Sequence, residues 1–171
     1  MQTWAEAFDA RIYLHASDRE WIMRDSPAIT LWEGDALEIL PAVRLLRLGG
    51  HFAGGTVLHW AKDDGIMLAG DIIQVTPGAH AVSFMWSYPN LLPLAAASVE
   101  KIVERLGDTP FEALYGAFEG QKRHEKCPAD RFRFSAEISG LPEYDGAPLR
   151  ARRLRLIPRR HRRRSTTPGR R

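Results

Sequence analysis

A histidine surrounded by four glycines is the feature of this sequence best suited to chemistry. It is His51, in the run GGHFAGG at residues 49–55. Glycine permits positive φ angles and close approach of the backbone, so this run predicts a shaped loop that presents an imidazole. A Gly-Asp pair, ending in Asp71, follows the next two strand-like runs. Imidazole and carboxylate groups that converge are half of a site for zinc, iron or manganese.

A hairpin signal indicates how His51 and Asp71 come together. Asp64-Gly65 lies between the strand-like runs 56–61 and 66–69, which predicts a β-hairpin. If Lys62 faces Gly65 across the turn, Asp71 lies opposite Thr56, close to the histidine loop. The structural alternative is a tight turn with a surface histidine and a Gly-Asp pair that simply ends a strand.

Three further residues are candidates for lining a substrate cleft: His15, Thr56 and Tyr88. His15 ends a predicted strand, where α/β folds gather ligands. The alternative is a strand-end histidine that donates to a backbone group. Thr56 follows the glycine-rich loop and is expected to support it, whereas Tyr88 belongs either to a cleft or to an ordinary loop. His59, within a hairpin strand, is interpreted as a packing residue.

Predicted helices and strands alternate along the chain and must position these residues. Ser17-Asp18-Arg19-Glu20 has the pattern of a capping box and predicts a short helix with Ser17 as N-cap. The apolar stripe and the final glycine of residues 93–107 predict the main helix. A helix is also expected over 2–9, and strands over 11–15, 28–32, 36–40, 43–48, 56–61, 66–69, 81–86 and 111–115. Strands mixed with helices in this way predict an α/β or α+β sandwich.

The composition narrows the class of protein. The chain has 171 residues, 44% of them hydrophobic and 26% charged, which is typical of a globular domain with or without a tail. Its single cysteine, Cys127, excludes an internal disulfide framework and a cysteine-based zinc cluster. No apolar run reaches the ~18 residues of a membrane span, and the start does not resemble a secretory signal. A cytoplasmic protein without membrane contact is expected.

The charge divides the chain into two parts. Residues 1–120 hold 8 Lys and Arg against 16 Asp and Glu, a net charge of −8. Residues 121–171 hold 16 Lys and Arg against 5 Asp and Glu, a net charge of +11. We therefore predict a domain over 1–118 and an Arg-rich, mostly disordered tail over 119–171. Non-specific contact with nucleic acid or another polyanion is the partner that such a tail favours.

Three segments together resemble the second half of a metallo-β-lactamase-fold hydrolase: LGGHFAGGTVLHW, MLAGDIIQV and VSFMWSYPNLLPL. The resemblance implies a partial αββα sandwich with metals at one edge of its two sheets. It implies that His51 and Asp71 are metal ligands and that Asp71 is also catalytic. It further implies one or two Zn²⁺, Fe or Mn ions and a small-molecule substrate with an ester, thioester, amide or phosphoester bond.

The chain departs from this family in two places. The leading His-x-His-x-Asp-His motif is absent, and Ala117-Phe118 stand where the last histidine of the family is expected. The expected function is therefore a metal-dependent hydrolase that is incomplete and of reduced or no activity. The alternative is a non-enzymatic, metal-poor remnant of the fold whose basic tail binds polyanions. Because half a sandwich exposes a sheet face, an oligomer is a further expectation.

Overall fold

Short apolar runs separated by glycine, proline and acidic turns form a mixed α+β fold with many strands and few helices. The computed structural model describes residues 1–76, 81–87, 92–119, 122–124, 132–133, 153–155 and 157–158. The general class expected from the alternating pattern is thus confirmed.

The helices are α1 (Gln2–Phe8) and α2 (Ala96–Leu106), and a 3₁₀ helix spans Ala16–Trp21. The strands of the first half are β1 (Ile12–His15), β2 (Ile29–Trp32), β3 (Ala36–Leu40), β4 (Val43–Arg47), β5 (Thr56–Trp60), β6 (Ile66–Gly70) and β7 (Gln74–Val75). Those of the second half are β8 (Ala81–Ser83), β9 (Met85–Ser87), β10 (Leu92–Pro93), β11 (Ala113–Gly116), β12 (Lys122–His124), β13 (Phe132–Arg133), β14 (Arg153–Arg155) and β15 (Ile157–Pro158).

A six-stranded sheet organises the described part of the chain. Its order is β12-β11-β6-β5-β4-β3, with β11 parallel to β6 and the other neighbours antiparallel. Strands β1 and β2 form a separate parallel pair. Smaller sheets have the orders β14-β8-β7, β10-β9 and β13-β15.

The two faces of the large sheet differ in their burial. Val57 and Met67 lie on one face and are fully buried in a core that also includes Ile102 of α2. On the opposite face Leu68 pairs with Leu58 of the neighbouring strand and is 46% exposed. The sheet is therefore packed against α2 on one side and carries exposed apolar side chains on the other, among them Leu40, Trp60 and Leu68.

Helix α2 covers the buried face with the apolar stripe that the sequence predicts. Val99, Ile102 and Leu106 of the helix are buried, and so is Leu94, which precedes it. The helix begins at Ala96 rather than at Pro93, because Leu92–Pro93 pairs with β9 as a strand. Gly107 ends it with a φ of 51° and donates its N–H to the carbonyl of Val103.

The register of the β5–β6 hairpin differs by one residue from the prediction. Trp60 pairs with Ile66 and Leu58 with Leu68, so the connection has five residues rather than four. Asp63 and Gly65 both adopt positive φ, 54° and 92°, and this longer turn accounts for the shift. The pairing of the two strands ends at Leu58 and Leu68, and Asp71 lies in the turn after β6, so the predicted position of Asp71 opposite Thr56 is wrong.

The predicted N-cap at Ser17 is also wrong. His15 is the N-cap of the 3₁₀ helix, and its side chain accepts the backbone N–H of Ser17. The element closes 3₁₀ bonds rather than α-helical ones and ends at Trp21. It has six residues, about two turns of 3₁₀ helix, and follows directly on β1.

The predictions for the tail fall mostly outside the described residues. Within the tail the backbone of β12 joins the large sheet beside β11, and that of β14 pairs with β8. In the described ranges neither α-helix is long and apolar enough to cross a membrane.

Candidate functional site

The glycine-rich run forms the connection between β4 and β5 and closes on itself. The backbone N–H groups of Leu48 and Gly49 both donate to the carbonyl of Gly55, at 2.8 and 2.9 Å. Gly55 in turn donates to the carbonyl of Phe52 at 3.0 Å. Gly49 and Gly50 have φ angles of 75° and 91°, which side chains rarely adopt. Residues 48–55, the histidine loop, are therefore a defined structure, as the glycine pattern predicts.

Close packing against two neighbouring elements leaves the histidine loop little freedom. A Cβ at residue 50 would lie 2.7 Å from Cδ1 of Ile102, on α2. A Cβ at residue 55 would lie 2.6 Å from both the carbonyl oxygen of Gly49 and Cδ1 of Ile72. The loop therefore lies between α2 and the turn that contains Asp71.

Three charged side chains bind backbone atoms of the histidine loop. Arg105 donates from Nη1 to the carbonyl of Leu48 at 3.0 Å, and Arg47 donates from Nε to the carbonyl of Ala53 at 3.2 Å. Asp18, which is 7% exposed, accepts the N–H of Gly54 at 2.7 Å. The shortest of the three bonds is thus made by a buried carboxylate on the 3₁₀ helix.

His51 is half-buried and is oriented by its Nδ1 atom. Nδ1 lies 3.2 Å from the carbonyl oxygen of Met85, on β9, and a carbonyl oxygen only accepts, so Nδ1 carries the hydrogen. In the neutral ring the lone pair then belongs to Nε2. An imidazole that donates one N–H to a backbone carbonyl and keeps the other nitrogen for a metal is a common ligand arrangement.

Asp71 lies at the same edge of the large sheet as His51. It follows the last residue of β6, in a turn where Ile72 donates to the carbonyl of Ala69 at 3.0 Å. Because β5 and β6 are antiparallel, the end of β6 lies beside the start of β5, directly after the histidine loop. The residue is half-buried, and its Oδ1 atom is enclosed from solvent.

The ligand types at this edge fit a metal, but their number does not complete a site. His51 and Asp71 offer an imidazole nitrogen and a carboxylate oxygen, both usual donors to zinc. Throughout the part of the chain that the structure describes, no group of three His, Cys, Asp or Glu side chains is placed to hold an ion. A catalytic zinc ordinarily has three protein ligands, so these residues do not form such a site by themselves.

The weaker candidates occupy supporting positions. His15 is 4% exposed, accepts the N–H of Ser17 at Nδ1 and donates from Nε2 to the carbonyl of Gly34 at 3.0 Å. Both ring nitrogens thus face backbone groups, which matches the alternative that His15 is a strand-end histidine donating to a backbone group. Thr56 donates from Oγ1 to the carbonyl of Gly54 at 2.7 Å, a contact that supports the loop. Tyr88 lies outside the described residues.

His59 is a buried histidine away from this edge. It is 3% exposed, and Nε2 donates to the carbonyl of Pro110 at 2.8 Å. Burial lowers the pKa of His59, and the positive charge of Arg44 lowers it further, against an opposing effect of the bond to Pro110. A neutral packing histidine is the role that this environment favours.

Two features beside His51 are not evident from the sequence. The ring of Phe52 contacts His51 and Trp21 edge to face, with centroid distances of 5.0 and 5.7 Å. Trp21 is 60% exposed. The second is the contact between Asp18 and Gly54, since the capping-box pattern accounts for Asp18 within its own helix and gives no indication of this bond. The contacts of Trp21 with Phe52 and of Asp18 with Gly54 join residues far apart in the sequence, where local patterns carry no signal.

The chain matches no family model. It is 51% identical over 118 residues to a protein of Bacillus subtilis (strain 168) that carries the name "Uncharacterized protein YmaE". The match includes 67% of this chain and 43% of the relative, so the chain spans less than half the length of that protein.

Proposed function

We propose that the chain contains the second half of a metallo-β-lactamase-like hydrolase and that His51 and Asp71 are two ligands of its metal site. The single observation that carries the proposal is their location at one edge of the large sheet, one in the loop before β5 and one directly after β6. With two ligands among the described residues, the chain has weak metal affinity and reduced or no hydrolase activity.

The orientation of His51 supports this assignment. Its bond to the Met85 carbonyl keeps the hydrogen on Nδ1, so the neutral ring carries its lone pair on Nε2, as in histidines that bind a metal through that atom. The loop also has a defined shape, which gives the imidazole a fixed direction.

The exposed apolar face of the large sheet supports the partial sandwich. Leu68, near the middle of the sheet, is 46% exposed, although its strand neighbour Met67 is fully buried. A sheet that is apolar on both faces is usually covered on both. The relative from B. subtilis has more than half of its length outside the match, enough for further layers.

Zinc binding by the purified full chain tests the proposal. We expect His51→Ala and Asp71→Asn each to weaken zinc binding at least about tenfold in competition with a chromophoric chelator. The matched control is Asp63→Asn, because Asp63 is an exposed carboxylate in the β5–β6 turn, at the other end of the strands. Asparagine also tolerates the positive φ of that residue.

The outcomes separate the two hypotheses for the fold. Zinc binding that His51→Ala and Asp71→Asn both weaken at least about tenfold, and that Asp63→Asn preserves, supports the half-site. A chain that binds no zinc is the metal-poor remnant. Zinc binding that neither site variant changes places the metal elsewhere and overturns the assignment of both residues.

The second candidate function is polyanion binding through the tail, and the net charge of +11 over residues 121–171 favours it. Affinity of this kind falls steeply with salt, by about 0.9 logarithmic units per phosphate contact for each tenfold rise. Five arginines form the densest part of the tail, and their joint replacement by glutamine should flatten the salt dependence of DNA binding: Arg159, Arg160, Arg162, Arg163 and Arg164. An unchanged salt dependence would remove the tail as the binding element.

A further inference from the structure

We propose that Asp18 is a positioning residue that holds the histidine loop in the conformation presenting His51. The proposal concerns the shape of the loop, and its consequence for metal binding rests on the proposed function. Its central observation is the bond between Oδ1 of Asp18 and the N–H of Gly54, 2.7 Å long and shielded from solvent.

A buried carboxylate that binds one backbone amide needs a reason for its location. Asp18 is 7% exposed, and carboxylates are rarely buried without a partner, because loss of hydration is costly. A charge-assisted bond to an N–H is stronger than a bond between neutral groups. This bond holds the backbone of the loop at Gly54, three residues after His51.

The fit at residue 54 shows that Asp18 and the loop are packed together closely. A Cβ at this position would lie 2.8 Å from Cγ and Oδ2 of Asp18 and 2.8 Å from Cβ of His15. Glycine is therefore required here for close approach, since residue 54 has no positive φ. The carbonyl of Gly54 is fixed as well, by the hydroxyl of Thr56 at 2.7 Å.

The 3₁₀ helix that carries Asp18 is itself held in place by His15. His15 accepts the N–H of Ser17 and donates to the carbonyl of Gly34, which ties the start of the 3₁₀ helix to the turn that contains Gly34. The ring of His15 also contacts Trp32 edge to face at 4.7 Å. A continuous set of contacts thus leads from the β1–β2 pair through Asp18 to the loop.

The test uses two variants of residue 18, one that keeps a hydrogen-bond acceptor and one that loses it together with the bulk of the side chain. Asp18→Asn keeps an acceptor oxygen of the same shape, whereas Asp18→Ala removes it. Asp25→Ala is the control for loss of a carboxylate, because Asp25 is exposed and follows closely in the chain. The first readout is the ¹⁵N NMR signature of His51 without metal, and the second is zinc affinity.

We expect Asp18→Ala to lose the Nδ1–H signature of His51 and to bind zinc about tenfold more weakly. We expect Asp18→Asn and Asp25→Ala to retain both properties. An unchanged His51 signature in folded Asp18→Ala overturns the proposal. If the wild-type chain binds no zinc, the proposed function fails, while the metal-free signature still decides the role of Asp18.

Hydrogen exchange in the wild-type chain covers the case in which Asp18→Ala does not fold. The N–H of Gly54 is expected to exchange at least about a hundredfold more slowly than in an unstructured peptide, because its acceptor is buried. Exchange at the unstructured rate would show that the bond to Asp18 does not hold the loop, and would overturn the proposal.

Discussion

His51 donates from Nδ1 to the backbone carbonyl of Met85 at 3.2 Å and thereby ties the histidine loop to β9. The ring nitrogen that carries the hydrogen is the opposite one from that in the two buried histidines. His15 and His59 donate from Nε2, to the carbonyls of Gly34 and Pro110. His15 and His59 therefore serve as internal references for the tautomer of His51, since their rings carry the hydrogen on the other nitrogen.

This difference predicts the NMR spectrum of the metal-free chain. Above pH 8 we expect long-range ¹H–¹⁵N correlations to show His51 with its hydrogen on Nδ1 and both His15 and His59 with theirs on Nε2. Carbonyl acceptors fix these assignments, because they cannot donate. Observation of the Nε2–H form for His51 would contradict the bond to Met85. The variant His51→Gln identifies the signal.

The buried ring of His59 predicts a dependence of stability on pH. Its pKa is lowered from the ordinary value of 6.5, chiefly by burial, so the unfolded chain takes up a proton at higher pH than the folded chain does. The free energy of unfolding should therefore decrease as the pH falls from above 6.5 toward the lowered pKa.

Urea unfolding at pH 7.5 and at pH 5.5 measures this decrease. The variant His59→Gln keeps a donor for the Pro110 carbonyl but does not titrate, so we expect its decrease to be smaller. His51→Gln, which retains His59, should keep the His59 contribution. Equal pH dependence in the wild type and His59→Gln would show that His59 contributes nothing to it.

A third prediction concerns the closure of the histidine loop. Gly55→Ala places a Cβ 2.6 Å from the Gly49 carbonyl, a backbone atom that cannot move without opening the loop. We expect a loss of about 3 kcal/mol in the free energy of unfolding. Gly70→Ala meets no atom within 4 Å and bears only the strain of a φ of 53°, about 1 kcal/mol. Equal losses in urea unfolding would contradict the tight closure.

The sequence predicted the elements that depend on local patterns. The bounds of β3 and the glycine-rich loop at residues 49–55 agree with expectation, since alternation, helical periodicity and glycine spacing are local signals. The one-residue shift of the β5–β6 register arose from the backbone conformation of Asp63, a non-glycine residue with positive φ. Asp18 could not be assigned, because its bond to Gly54 spans 36 residues and depends on how two elements pack.

The last prediction uses neighbouring residues on opposite faces of β6. Met67 is fully buried against the core and Leu68 is 46% exposed on the other face. Met67→Thr should cost about 3 kcal/mol in urea unfolding, because it leaves a cavity and buries a hydroxyl. Leu68→Thr should cost less than about 1 kcal/mol, since threonine suits an exposed strand.

The variant Leu68→Thr also tests whether the exposed face drives association. If copies of the chain associate through this face, Leu68→Thr should lower the apparent mass in light scattering at high protein concentration, because it removes apolar surface from the centre of the sheet. Glu38→Thr, an exposed change on β3, is the control and should leave the mass unchanged. A mass that Leu68→Thr does not alter would show that association, where it occurs, uses another surface.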